Sequence, residues 1–71
     1  MFKEKFRAWR IKHELSQGEV AKRLGITQQA VANWELGLRV PNRRLWKRII
    51  DLTEGEITIE DFLTEEPAEV K

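Results

Sequence analysis

Residues 16–37 read "SQGEVAKRLGITQQAVANWELG", and their punctuation divides them into two short helices joined by a tight turn. Ser16 stands three residues before Glu19, the spacing of a capping box, so a helix opens at Ser16. Val20, Ala21 and Leu24 give that helix an inner face, and Gly25 ends it, because glycine takes the left-handed backbone at no steric cost. Thr27 is a good N-cap for a second helix, which Gly37 closes. At about 100° per residue, Ala30, Val31 and Trp34 share one side of it. Gln28, Gln29, Ala32, Asn33 and Leu36 share the other. A connection of about three residues between helices this short is the signature of a helix-turn-helix. Ala21 is small enough for the helices to cross closely, while Ile26 and Val31 wedge into the angle between them.

The surrounding sequence is helical as well. Phe2, Phe6, Trp9 and His13 form a narrow stripe that predicts a helix over 2–13. After the loop "LRVP", Asn42 caps a helix over about 42–53. Its apolar residues Leu45, Trp46, Ile49, Ile50 and Leu52, with Thr53, span an arc of roughly 160°. Gly55 breaks that helix. "TIED" at 58–61 has the spacing of a second capping box, opening a one-turn helix with Ile59, Phe62 and Leu63. The expected fold is all-α, a compact bundle of four to five short helices. Residues 1–63 form one helix-turn-helix domain, and 64–71 a flexible acidic tail.

Composition narrows the function. The 71 residues suffice for one small domain, with no cysteine and a single histidine, His13. A disulfide framework, a thiolate metal site and a zinc centre are therefore not expected. There is no glycine-rich phosphate loop and no obvious buried carboxylate pair, and the one histidine is unsupported, so no catalytic residue is assigned and an enzyme is not expected. No cofactor, metal or small-molecule ligand is called for. No apolar run reaches the roughly 18 residues of a membrane span, so a soluble, cytoplasmic protein is expected. The net charge of +1 conceals a division. Residues 1–50 carry 12 Lys/Arg against 4 Asp/Glu, whereas 51–71 carry 1 Lys against 8 Asp/Glu. Such a split suits a polyanion-binding face with an acidic tail, although two solvated surfaces would read the same way.

The amides Gln28, Gln29 and Asn33 add to that reading. They gather at the start of the motif's second helix, where a major-groove reader places its base contacts. Gln and Asn bond adenine N6 and N7 together, and each such pair is worth about 1–3 kcal/mol of discrimination. Ala32 leaves the approach open. The plainer reading is three ordinary exposed polar residues. Arg39, in the following loop, and Arg43, at the start of the next helix, border the backbone of any bound duplex and are expected phosphate ligands, as is Thr27 at the helix N-terminus. Arg44, Lys47 and Arg48 read as a solvated face, with the acidic tail as a candidate partner. Trp9 and Trp34 read as core. Trp46, with Leu45, Ile50 and Leu52, offers more apolar surface than a small core needs. Part of this helix, with Phe62 and Leu63, is therefore an expected homodimer face. The alternative is a core that closes around Trp46.

The residues "LSQGEVAKRLGITQQAVANWELGLRVP" at 15–41 resemble the lambda-repressor-like, Cro-type helix-turn-helix family. The likeness is carried by Leu-Ser-Gln at 15–17, Ala21, Gly25, the Gln pair, "WE" at 34–35, Gly37 and Pro41. The continuation "RRLWKRIIDLTEGEITIEDF" at 43–62 is similar to the end of YdaS-type and other small Cro-like phage or prophage regulators. The resemblance spans about 10–63 and implies a repressor acting on double-stranded DNA as a dimer. It also implies particular roles. Gln17 contacts phosphate and braces Gln28. Gln28, Gln29 and Asn33 read bases. Arg10 and Glu35 form a salt bridge between the first helix and the end of the third. Gly18 departs from the family pattern, which has a better helix former there. The competing function is a protein-interaction module on the same fold, of antitoxin or coactivator type, which the acidic segment and the wide apolar stripe would serve.

Overall fold

The computed structural model describes residues 2–63, which form five helices: α1 (Phe2–Lys12), α2 (Gln17–Leu24), α3 (Gln28–Leu36), α4 (Arg43–Leu52) and α5 (Ile59–Leu63). No strand occurs among the described residues. Residues 64–71, read above as a tail, lie outside them.

The caps set the lengths of α2 and α3. Ser16 Oγ accepts from Glu19 N at 3.0 Å while the Glu19 carboxylate accepts from Ser16 N at 2.7 Å, so the capping box is complete. Gly25 follows at φ 73° and sends its N–H back to the last turn. Thr27 Oγ1 accepts from Ala30 N at 3.1 Å, and Gly37 closes α3 at φ 80°. The ends of α1 and α4 are less legible, since a glutamate enters the left-handed region at each, the one after α4 just ahead of Gly55. Glu14 has φ 58° and Glu54 φ 55°. Before α5, Asp61 reaches back to accept from Thr58 N at 2.9 Å, but the Thr58 hydroxyl turns to that same carboxylate. Only the return arm of the second box is formed.

α3 packs against α2 and α1, and α4 against α2 and α5. The centre is aromatic. Phe2, Phe6, Trp9 and Trp34 are buried, with the Phe6 and Trp34 rings edge-on at 5.8 Å and Phe2 and Phe6 stacked at 5.2 Å. Val20, Ala21, Leu24, Val31 and Ile49 fill the space around them. Ile57, unassigned by periodicity, is completely buried, while Ile59 and Leu63 each remain 54% exposed. Phe62 is buried too, 5.1 Å from Phe2, and Trp46 lies flat on it at 4.9 Å with an angle of 3° between the rings. Trp46 Nε1 donates to the Pro41 carbonyl at 2.9 Å. The apolar surplus on α4 is thus largely taken up within the chain, which removes Phe62 and most of Trp46 from the expected dimer face.

Among the described residues, Thr53 is a polar residue buried in the apolar core. Its hydroxyl donates to the Ile49 carbonyl at 2.9 Å and accepts from Ile57 N at 3.2 Å. That second bond pins the turn that delivers Ile57 to the core. Thr53→Val keeps the shape and strands the buried Ile57 N–H, so urea unfolding is expected to show a loss of about 1–3 kcal/mol.

Candidate nucleic-acid interface

α3 is held from behind and open in front. Val31 and Trp34 are buried; Gln28 and Gln29 are exposed; Ala32 and Asn33 are half-buried on the outer side. Gln29 Nε2 donates to Asn33 Oδ1 at 3.1 Å, an i, i+4 bond that couples two of the amides. The carboxamide of Gln28 lies over Gly18 in the first turn of α2: a Cβ built on Gly18 would stand 3.3 Å from Gln28 Oε1. The carbonyl of Asn33 accepts from Leu38 N at 2.9 Å and from Arg39 N at 3.3 Å, so the end of the same helix fixes the loop carrying Arg39.

The rear of α3 is locked to α1 by charge. Arg10 meets Glu35 with two parallel bonds, Nε to Oε2 at 2.7 Å and a terminal nitrogen to Oε1 at 2.8 Å. Its remaining nitrogen donates to the Leu15 carbonyl at 2.9 Å. The Glu35 side chain is only 4% exposed and that of Arg10 13%. Burial pushes the Glu35 carboxyl up, but hydrogen bonds from Arg10 and Gln17 and the charges of Arg10 and Arg7 outweigh it, leaving the group below the usual carboxylate range. The Glu35 hydrogen bond raises the Arg10 pKa above the ordinary arginine value, against the opposing effect of burial. Asp61, held by the Thr58 backbone and Lys5 against its own desolvation, is also lowered.

Gln17 is placed differently from the resemblance. Its Nε2 donates to Glu35 Oε1 at 3.1 Å, so it braces the ion pair and not Gln28. Thr27 serves as the α3 cap with an exposed side chain at the helix N-terminus. Arg39 and Arg43 are both exposed, and the Arg43 guanidinium sits 5.7 Å from the Trp46 ring, a cation–π distance that orients it. Lys47 pairs with Asp51 on its own helix at 3.1 Å. The Arg48 guanidinium hangs beside the turn, about 4 Å from the Cβ position of Gly25.

Sequence reasoning passed over several contacts. Arg7 adds a second, more distant cation to Glu35 at 3.9 Å; its place one turn before Arg10 was a usable signal. Lys3 lies across Gly37, its Nζ 2.9 Å from where a Cβ would stand. Lys5 bonds Asp61 at 2.9 Å across 56 residues of sequence, for which no local signal exists. No helix among the described residues is long and apolar enough to cross a membrane.

The helix-turn-helix family model matches residues 6–59, about three quarters of the chain. That span begins in α1, contains α2, α3 and α4 whole, and ends at the start of α5. Neither the curated proteins nor the solved structures contain a match to it. With the capped helix pair, its left-handed Gly25 turn and an outward amide face on α3 in place, the match over 6–59 puts this chain in the helix-turn-helix family, a DNA-binding domain of lambda-repressor-like fold.

Proposed function

We propose that the chain is a sequence-specific transcriptional regulator, a Cro-like repressor that reads the major groove with Gln28, Gln29 and Asn33. The observation carrying this reading is the division of α3, whose back is fixed by Val31, Trp34 and Glu35 while its amides face out. The Gln29–Asn33 bond sharpens it. With Gln29 Nε2 given to Asn33 Oδ1, the Gln29 oxygen and the Asn33 amino group are left to serve as acceptor and donor for a base. One acceptor beside one donor complements the N6 donor and N7 acceptor of adenine. Thr27, Arg39, Arg43 and the second amide hydrogen of Gln17 would hold phosphates and set the register. The protein acts as a homodimer on a pseudo-palindrome, with half-sites roughly 34–36 Å apart.

Selection from random DNA, followed by sizing of the complex, tests the whole reading. It should return a two-fold symmetric, adenine-containing site bound by two chains. Replacing Gln29 with Ala should weaken the selected site roughly 5- to 150-fold, as expected for loss of about 1–3 kcal/mol, and leave random DNA almost unaffected. Arg39→Ala should weaken all sequences alike and reduce the salt slope by about one. Equal binding of random and selected DNA would sink the proposal.

One observation favours a protein partner instead. Leu36 and Leu38 flank Gly37 with 66% and 65% exposure, an apolar step at the end of the amide face. The double variant Gln28→Ala, Gln29→Ala separates the readings. Regulation in cells that survives it would favour the protein-interaction module.

A further inference from the structure

We propose that Gly18 is a positioning residue for Gln28 and thereby helps determine which base pair α3 prefers; this rests on the groove-reading role of α3 proposed above. Glycine is the worst ordinary residue for a helix, and α2 is only eight residues long. Its N-terminus is already completed by the Ser16–Glu19 box, so Gly18 is not needed as a cap. Nor does the backbone require it. The glycines at positive φ are Gly25, Gly37 and Gly55, and Gly18 is not among them.

What remains is the space above its Cα. A Cβ there would meet Gln28 Oε1 at 3.3 Å and Gln28 Cδ at 3.8 Å, with Ser16 Oγ next at 3.9 Å. The first two belong to one carboxamide, on the helix that faces the groove. A carbon at 3.3 Å is tighter than ordinary contact, and Gln28 is an exposed side chain on rotatable bonds. A methyl group at residue 18 therefore displaces the amide and leaves the α2 and α3 backbones where they are. Gln29 has its own tether in Asn33. For Gln28 the corresponding guide is the notch in α2, and the notch exists only because residue 18 lacks a side chain. The cost to helix stability and the gain in amide placement fall on the same atom.

The two effects separate in one variant. Gly18→Ala should raise the melting temperature by a few degrees, because alanine favours the helix. On a panel of single base-pair substitutions of the selected site, it should reduce or switch the preference about 10-fold at the position read by Gln28, with the preferences read by Gln29 and Asn33 unchanged. In a Gln28→Ala background, Gly18→Ala should alter binding by less than about twofold. An unchanged preference profile with a raised melting temperature would overturn the proposal. So would a lowered melting temperature, since the methyl would then be meeting more than the tip of Gln28. A wild-type protein that selects no sequence refutes the groove-reading function itself, and Gly18's role with it.

Discussion

Glu35→Ala is expected to lower stability by about 3 kcal/mol, the lower end of the cost of breaking a buried pair from one side. A chain of this length holds roughly 4–10 kcal/mol in total, so one carboxylate accounts for a third or more. The loss follows from what is left behind. Arg10, 13% exposed, keeps its charge but loses two short bonds, and Gln17 loses its acceptor. Net attraction within the pair is a smaller quantity, because desolvation offsets much of it. Replacing both residues, Arg10→Met with Glu35→Leu, should therefore recover most of the stability that either single change removes. Urea unfolding of the two singles and the double provides the cycle; singles costing under about 1 kcal/mol would show that water screens the pair.

The same carboxylate gives stability a pH dependence with a definite sign. Its folded pKa lies below its ordinary value, so its contribution is fully present above the ordinary carboxylate range, near pH 4.3. It disappears as the pH falls through the depressed folded value. Asp61 acts in the same direction, as does exposed Glu19, whose carboxyl is lowered chiefly by the Ser16 backbone hydrogen bond. The melting temperature should be level near neutrality and decline below about pH 4, and Glu35→Gln should make that decline shallower.

Phe6→Ala should be comparably severe, costing about 3–5 kcal/mol. Phe6 is completely buried and touches Phe2, Trp9 and Trp34 through its ring, so it joins the α1 stripe to the rear of α3. A cavity at that point is lined by large rigid rings that cannot collapse into it. At 4–8 °C per kcal/mol, thermal unfolding should fall by more than 10 °C. Phe6→Leu should retain most of the stability, and Leu38→Ala, on the exposed loop, should change it by less than about 0.5 kcal/mol. A Phe6→Ala protein melting within a few degrees of wild type would contradict the aromatic core described here. Both severe variants bear on DNA binding indirectly, since each loosens the back of α3 while its amides remain in place.

Readability from sequence followed the range of the interactions. Ser16 with Glu19, Thr27 with Ala30, and the Gly25 and Gly37 turns all act within four residues, and each could be read directly. The outward amides followed from the same helical geometry, because burying Val31 and Trp34 leaves Gln29 and Asn33 on the opposite side. Periodicity failed where the chain leaves regular helix. Ile57 enters the core from a turn, so no stripe contained it. The apolar arc of α4 could be counted, but whether Trp46 would meet a second chain or its own Phe62 depended on the path of residues 53–58.

By itself the sequence determined the helices, the caps of α2 and α3, the turn of the motif and the face of α3 that looks outward, because these are set by local backbone preference and a fixed rotation per residue. Tertiary structure alone decided that Gln17 supports Glu35, that Trp46 closes on Phe62, and that the amide of Gln28 rests above Gly18. These contacts join residues 10 to 18 positions apart, and their partners are chosen by the crossing angles of packed helices, which no single segment encodes.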